Sequence, residues 1–127
     1  RHERQAGEII RALYPALPLT LSAEVAPEIR EYERTSTACA NAYVMPRMRR
    51  YLETLETELA RIDFDGRLYV MLSGGGIAAV REARSFPIRL VESGPAAGAM
   101  AAAFLAQLAG LDRVVSYDMG GTTAKMC

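Results

Sequence analysis

Val114-Val-Ser-Tyr-Asp-Met-Gly-Gly-Thr-Thr123 decides how the chain is read. Its apolar start predicts a buried strand over residues 113–117, which delivers Asp118 to a Gly-Gly turn followed by two hydroxyls. Each residue type has a role if a polyphosphate sits there. Without a Cβ, Gly120 and Gly121 can take positive φ and turn their N–H groups toward phosphate oxygens, a backbone anion nest. Thr122 and Thr123 can add hydroxyl donors. Asp118 is repelled by phosphate itself, so its natural role is to hold Mg²⁺ through water or to orient an attacking water. A hairpin turn accounts for the same Asp, Gly and Thr residues, and on composition alone both readings stand.

Two further glycine segments precede this one. Leu68-Tyr-Val-Met-Leu72 predicts a strand, Ser73-Gly-Gly-Gly76 a loop, and residues 77–84 a helix. A helix N-terminus after such a loop suits an anion or a substrate carbonyl, which makes Ser73, Gly74 and Gly75 candidate substrate contacts. A tight strand-to-helix connection uses the same residues. Residues 88–91 predict another strand, leading into Ser93-Gly-Pro-Ala-Ala-Gly98 and a helix that Gly110 ends. Pro95 suits the first turn of that helix, Ser93 or Gly94 its N-cap and Gly110 its C′ position. Close packing of small residues explains this motif better than ligand contact. Strands alternating with helices predict an α/β layout with parallel neighbours in one sheet over residues 67–127. The glycine spacing is not GxGxxG, which argues against a dinucleotide-binding module.

Residues 1–66 read as a mainly helical part. Ile9, Ile10 and Leu13 share one side of a helix over residues 3–14, which Pro15 and Pro18 end. Leu19-Thr-Leu-Ser22 alternates and predicts a short strand. From residue 35 to about 62, Ala38, Ala42, Met45, Met48, Leu52, Leu55, Leu59 and Ile62 recur at steps of three and four, the pattern of a long amphipathic helix. Pro46 predicts a kink there, or two helices meeting. Arg49, Arg50, Glu53, Glu58 and Arg61 read as a solvated face. Arg34, Thr35, Thr37 and Asn41 form a polar cluster near the start of this helix, with Arg34 and Asn41 as candidate substrate contacts and with capping or solvation as the plainer explanation.

Fifteen basic and fifteen acidic side chains cancel, so no net field recruits nucleic acid or an anionic membrane. That leaves a small molecule or a protein as the expected partner. No apolar stretch reaches the roughly 18–20 residues of a membrane span, and no signal-peptide pattern opens the chain, which points to a cytoplasmic protein. Cys39 and Cys127 fit no metal-binding spacing and read as reduced thiols. The start without Met and the stop at Cys127, just after the Gly-Gly turn, suggest a piece of something larger with half of a β-hairpin missing.

Asp118-x-Gly-Gly-Thr-Thr123 is similar to the phosphate-loop signature of the actin, Hsp70 and sugar-kinase superfamily. Four stretches in order resemble the hydantoinase A/5-oxoprolinase family: Glu31-Tyr-Glu-Arg-Thr-Ser-Thr37 continuing to Asn41-Ala-Tyr43 and Pro46, then Ser73-Gly-Gly-Gly76, then Ser93-Gly-Pro-Ala-Ala-Gly98, and last residues 118–123. The resemblance implies an α/β fragment of an actin-like, ribonuclease H-like fold, with long helices and a partial mixed sheet. It implies an ATP- and Mg-dependent enzyme that opens a cyclic amide, 5-oxoproline or a hydantoin, through a phosphorylated intermediate, or carboxylates a ketone in related complexes. Asp118 would be catalytic and hold Mg through water, and Gly120, Gly121, Thr122 and Thr123 would bind the nucleotide. The remaining lobes of the parent chain, with another phosphate loop, would complete the site, with a second hydantoinase-type subunit as a further partner, leaving this fragment inactive alone. Gly74 stands where many relatives have Asn, and Ala124-Lys125 where many have Thr-Asp. The second departure keeps open a non-catalytic scaffold or regulatory lobe of the same fold.

Overall fold

In the computed structural model, which describes residues 2–127, the chain forms two units. One is the chain through Leu68 together with Val80–Ile88, and the other is Tyr69–Ala79 together with Arg89–Cys127.

The first unit is helical. His2–Leu13 (α1) stops before Pro15, whose ring cannot continue it. Gly7 is its buried residue: a Cβ there would stand 2.9 Å from Leu21 Cδ2, so only glycine lets the two segments approach this closely. The strand expected over residues 19–22 is not formed, and Ser22 instead begins a four-residue helix, Ser22–Val25 (α2). Leu21 at its N-cap has no side-chain acceptor to offer. Glu3 of α1 supplies one, its carboxylate accepting the Ser22 N–H and, at 3.2 Å, the Ala23 N–H. A cap that comes from nineteen residues away leaves no local signature.

Glu31–Arg61 (α3) is one unbroken helix that contains Pro46, so of the two readings the single long helix holds and the division into two helices does not. Pro46 is exposed, while its neighbour Met45 is 1% exposed and Leu52 fully buried. Burial of these large side chains offsets the lost backbone bond, which by itself costs about 3 kcal/mol. The short helices α2 and Val80–Ser85 (α4) both pack on α3. Arg49 was expected on a solvated face. It is half-buried, and its Nε donates to the Arg84 carbonyl at 3.2 Å, tying α3 to α4, while Arg84 in turn pairs with Glu56. Glu58 and Arg61 do form an exposed pair, at 2.6 Å.

At the centre of this unit, Asn41 is fully buried. Its Nδ2 donates to Thr20 Oγ1 at 3.0 Å and to the Ser85 carbonyl at 3.1 Å, and its Oδ1 accepts the Ile88 N–H at 3.1 Å. One amide thereby joins the approach to α2, the end of α4 and the following turn to α3. This also explains why residues 88–91 are not a strand: Pro87–Leu90 is a 3₁₀ turn, and the Ile88 N–H is spent on Asn41.

The second unit holds two separate two-stranded antiparallel hairpins in place of the expected parallel sheet. Tyr69–Met71 (β1) pairs with Ile77–Ala79 (β2), Val70 opposite Ala78. Residues 77–79 were expected to open a helix. Instead Gly75, at φ 84°, folds the chain back so that the Leu72 N–H reaches the Gly76 carbonyl at 2.7 Å. Ser93–Leu108 (α5) packs on β1 and ends in a left-handed turn at Gly110. Its N-cap is Glu92, one residue before the expected Ser93 or Gly94. The buried strand expected over residues 113–117 is not formed: Val114 and Val115 are exposed, and the strand is instead Tyr117–Met119 (β3), itself exposed, which pairs with Ala124–Met126 (β4), with Ser116 and Cys127 exchanging backbone bonds of 2.9 and 3.1 Å beyond it. The architecture is therefore a mixture of helices and small antiparallel sheets.

Two stability predictions follow from the capping and clamping residues. Asn41→Ala removes three hydrogen bonds and leaves the part-buried backbone groups at Ser85 and Ile88 without this partner, and should cost about 2–4 kcal/mol. The denaturant midpoint reads this, and a midpoint equal to that of the wild type would contradict the clamp. For Glu3, burial works against the charge, but hydrogen bonds from the Ser22 hydroxyl and the Ser22 and Ala23 amides, aided by Arg34, outweigh it and hold the carboxyl below the ordinary glutamate value. A depressed carboxyl stabilises the fold fully above the unfolded value and loses that contribution as pH falls through the folded one. The stability gap between wild type and Glu3→Gln should thus be constant near neutrality and close below roughly pH 4. A gap that persists unchanged to about pH 3 would contradict this.

Candidate functional site

Antiparallel pairing fixes what the β3–β4 hairpin presents. Asp118 stands directly opposite Lys125, and because side chains alternate along a strand, this pair shares one face while Tyr117 and Met119 take the other. The tip is residues 120–123, closed by a bond from the Gly120 N–H to the Thr123 carbonyl at 2.9 Å. Neither Gly120 nor Gly121 has positive φ, so the expected left-handed nest is not the form this turn takes. The Gly120 N–H is moreover engaged inside the hairpin. What the two glycines contribute is room, since a Cβ on either would meet no atom within 4 Å.

A cleft of about 340 Å³ lies between this hairpin and the start of α5, lined by Asp118, Gly120, Thr123 and Lys125 on one side and by Leu90, Glu92, Ser93, Gly94 and Pro95 on the other. Lys125 forms an ion pair with Glu92 across it. Glu92 sits in the left-handed region, at φ 64° and ψ 18°, and no side chain caps the N-terminus of α5. The first turn of α5 contains no acid, so the positive end of the helix dipole faces the cleft without a built-in counter-charge in that turn. The Ser93-Gly-Pro segment, read from sequence as packing, is thus part of the cleft. Glu92 carried no sequence signal, because its position depends on the turn before α5 and on a partner 33 residues away.

The other candidate residues are placed differently. Ser73 and Gly74 are exposed on the β1–β2 hairpin, which has no helix N-terminus behind it. Ser73 N–H donates to the Arg89 carbonyl at 2.7 Å, and a Cβ at Gly75 would stand 2.6 Å from Met100 Sδ. Gly121 and Thr122 occupy the hairpin tip and do not line the cleft. Asn41 and Arg34 belong to the first unit. Asn41 is committed to the clamp described above, and Arg34 Nη1 reaches the Glu28 carbonyl at 3.5 Å while its Nε is buried without a partner. Thr37 donates to the Glu33 carbonyl of its own helix at 2.9 Å.

The cleft combines carboxylates (Asp118, Glu92), hydroxyls (Ser93, Thr123), a cation and open backbone. These suit a polyphosphate with Mg²⁺, an ion that takes one or two carboxylates and completes its shell with phosphate and water. No group of three or more His, Cys, Asp or Glu is gathered among the described residues. Both cysteines are exposed and outside any disulfide, and no helix among the described residues is long and apolar enough to cross a membrane.

Comparison with known proteins agrees with the motif pattern. The chain is 44% identical over 124 residues to an uncharacterized protein of Methanocaldococcus jannaschii, covering 98% of this chain and 18% of that protein. It is 37% identical to the caprolactamase subunit alpha of Pseudomonas jessenii, over 96% of this chain and 18% of the relative. With the acetophenone carboxylase gamma subunit of Aromatoleum aromaticum it shares 32% identity, over 96% of this chain and 17% of the relative. The chain therefore spans less than a fifth of these relatives' length. No solved structure matches it. The signature of the hydantoinase/oxoprolinase family matches residues 34–127, a stretch that holds all of β1 to β4, α4, α5 and the cleft, and the chain belongs to that family.

Proposed function

We propose that this chain is the part of an ATP-dependent cyclic amide hydrolase that carries one of its phosphate loops, the β3–β4 hairpin. The observation that supports this most is the gathering of Asp118, Gly120, Thr123 and Lys125 with the first turn of α5 around one cleft. In this reading Asp118 holds Mg²⁺ through water, the Thr123 hydroxyl donates to phosphate oxygens, and the open space at Gly120 admits the phosphate chain. Bound ATP would supply a phosphoryl group to the oxygen of the resistant amide, with ADP leaving, and so make its carbon open to attack by water. The cyclic amide as substrate class is supported by the family and by the caprolactamase relative. Ser73 and Gly74, exposed on their hairpin, are the remaining candidates for substrate contact.

The hairpin takes the part of one of the two phosphate loops of an actin-like fold, and the rest of a longer protein supplies the other. The exposed Phe104, Leu105 and Leu108 of α5, each at least 60% exposed, suit coverage by those further lobes. The acetophenone carboxylase relative favours a second reading, ATP-dependent carboxylation of a ketone, in which the same cleft activates bicarbonate or the ketone oxygen.

The full-length protein should open caprolactam, 5-oxoproline or hydantoin only with Mg-ATP, and Asp118→Asn should lower that turnover about 100-fold or more while leaving the melting temperature in place. Turnover unchanged in Asp118→Asn would contradict the phosphate-loop reading. ATP hydrolysis that responds to acetophenone and bicarbonate, and to none of the cyclic amides, would favour the carboxylase.

A further inference from the structure

We propose that Lys125 is a phosphate ligand held in reserve by Glu92, so that this ion pair sets the affinity of the cleft for polyphosphate. The inference rests on the phosphate-loop reading given above and adds a residue and a competing counter-ion to it.

Three observations carry it. The hairpin register places Lys125 opposite Asp118, on the face that lines the cleft, so its ammonium belongs to the same space as Gly120 and Thr123. The carboxylate it pairs with is Glu92, whose side chain is 64% exposed against 34% for Lys125. An ion pair open to water to that extent contributes little and exchanges readily. Finally, Glu92 is a non-glycine residue held in the left-handed region, a conformation that residues with side chains seldom adopt and that concentrates at functional sites.

A polyphosphate entering the cleft brings several negative charges, which a lone carboxylate cannot match in competition for Lys125. Lys125 then turns from Glu92 to phosphate, and Glu92 becomes a like charge beside the ligand. Glu92 therefore weakens binding in two ways, by occupying the cation beforehand and by repelling the anion afterwards. The pair acts as a threshold: weakly charged anions leave it closed, and a nucleotide triphosphate or pyrophosphate opens it.

Calorimetric titration of the full-length protein with pyrophosphate and with Mg-ATP tests this. Lys125→Gln should weaken pyrophosphate about tenfold and flatten the salt dependence of binding, whereas Lys125→Arg should retain most of the affinity. Glu92→Gln should tighten binding about threefold, a gain that shrinks when Lys125→Gln is also present. Thermal melts establish that each variant is folded. If Glu92→Gln and Lys125→Gln weaken binding equally, the pair is a structural clip and the proposal is overturned. It is likewise overturned if the wild type binds and neither variant differs from it. Should the wild type bind neither pyrophosphate nor Mg-ATP, the phosphate-loop reading itself fails, a result distinct from the other two.

Discussion

The buried amide of Asn41 is the interaction on which the helical unit depends. A fully buried polar group is stable only if its donors and acceptor are satisfied, and here Thr20, Ser85 and Ile88 satisfy them from three separate segments. The α2 approach, the end of α4 and the 3₁₀ turn are consequently fixed to the same point on α3. Apolar burial of Met45 and Leu52 on the same helix supplies the non-directional part of the stability, and the amide supplies the specificity.

In the second unit the corresponding constraint is strand register. A hairpin shifted by one residue would put Asp118 and Lys125 on opposite faces and take one of them out of the cleft. The pairing of Ser116 with Cys127 extends the ladder past β3 and β4 and resists such a slip. Which side chains line the cleft is therefore tied to backbone hydrogen bonding some residues away from the turn itself. The start of α5 completes the arrangement by contributing Glu92, Ser93 and an uncapped helix end.

How much of this could be read from the sequence depends on how local each determinant is. The existence of α1, α3 and α5 was legible, because apolar spacing, Pro15 and Gly110 act within a turn or two of the residues they govern. The turn at residues 120–123 was legible for the same reason, and so was the family. By contrast, α2 was read as a strand because its cap, Glu3, arrives from another helix. The strand expected at residues 88–91 gives way to a 3₁₀ turn through a bond to Asn41, 47 residues away, and the helix expected at residue 77 gives way to β2 because Gly75 turns the chain back. Alternation and glycine content could not separate a strand-to-helix loop from a hairpin. Asp118, Gly120 and Thr123 are candidates from their motif, whereas Glu92 and Ser93 join them only where the fold brings them to the same cleft.

The central claim is that the β3–β4 hairpin receives phosphate. Its most direct test is a crystal structure of the full-length protein with Mg²⁺ and a non-hydrolysable ATP analogue. The expected result is phosphate oxygens within about 3 Å of donors in residues 120–123, with the metal's water shell on Asp118. A nucleotide bound with its phosphates elsewhere, and the hairpin and its cleft untouched, would contradict the account.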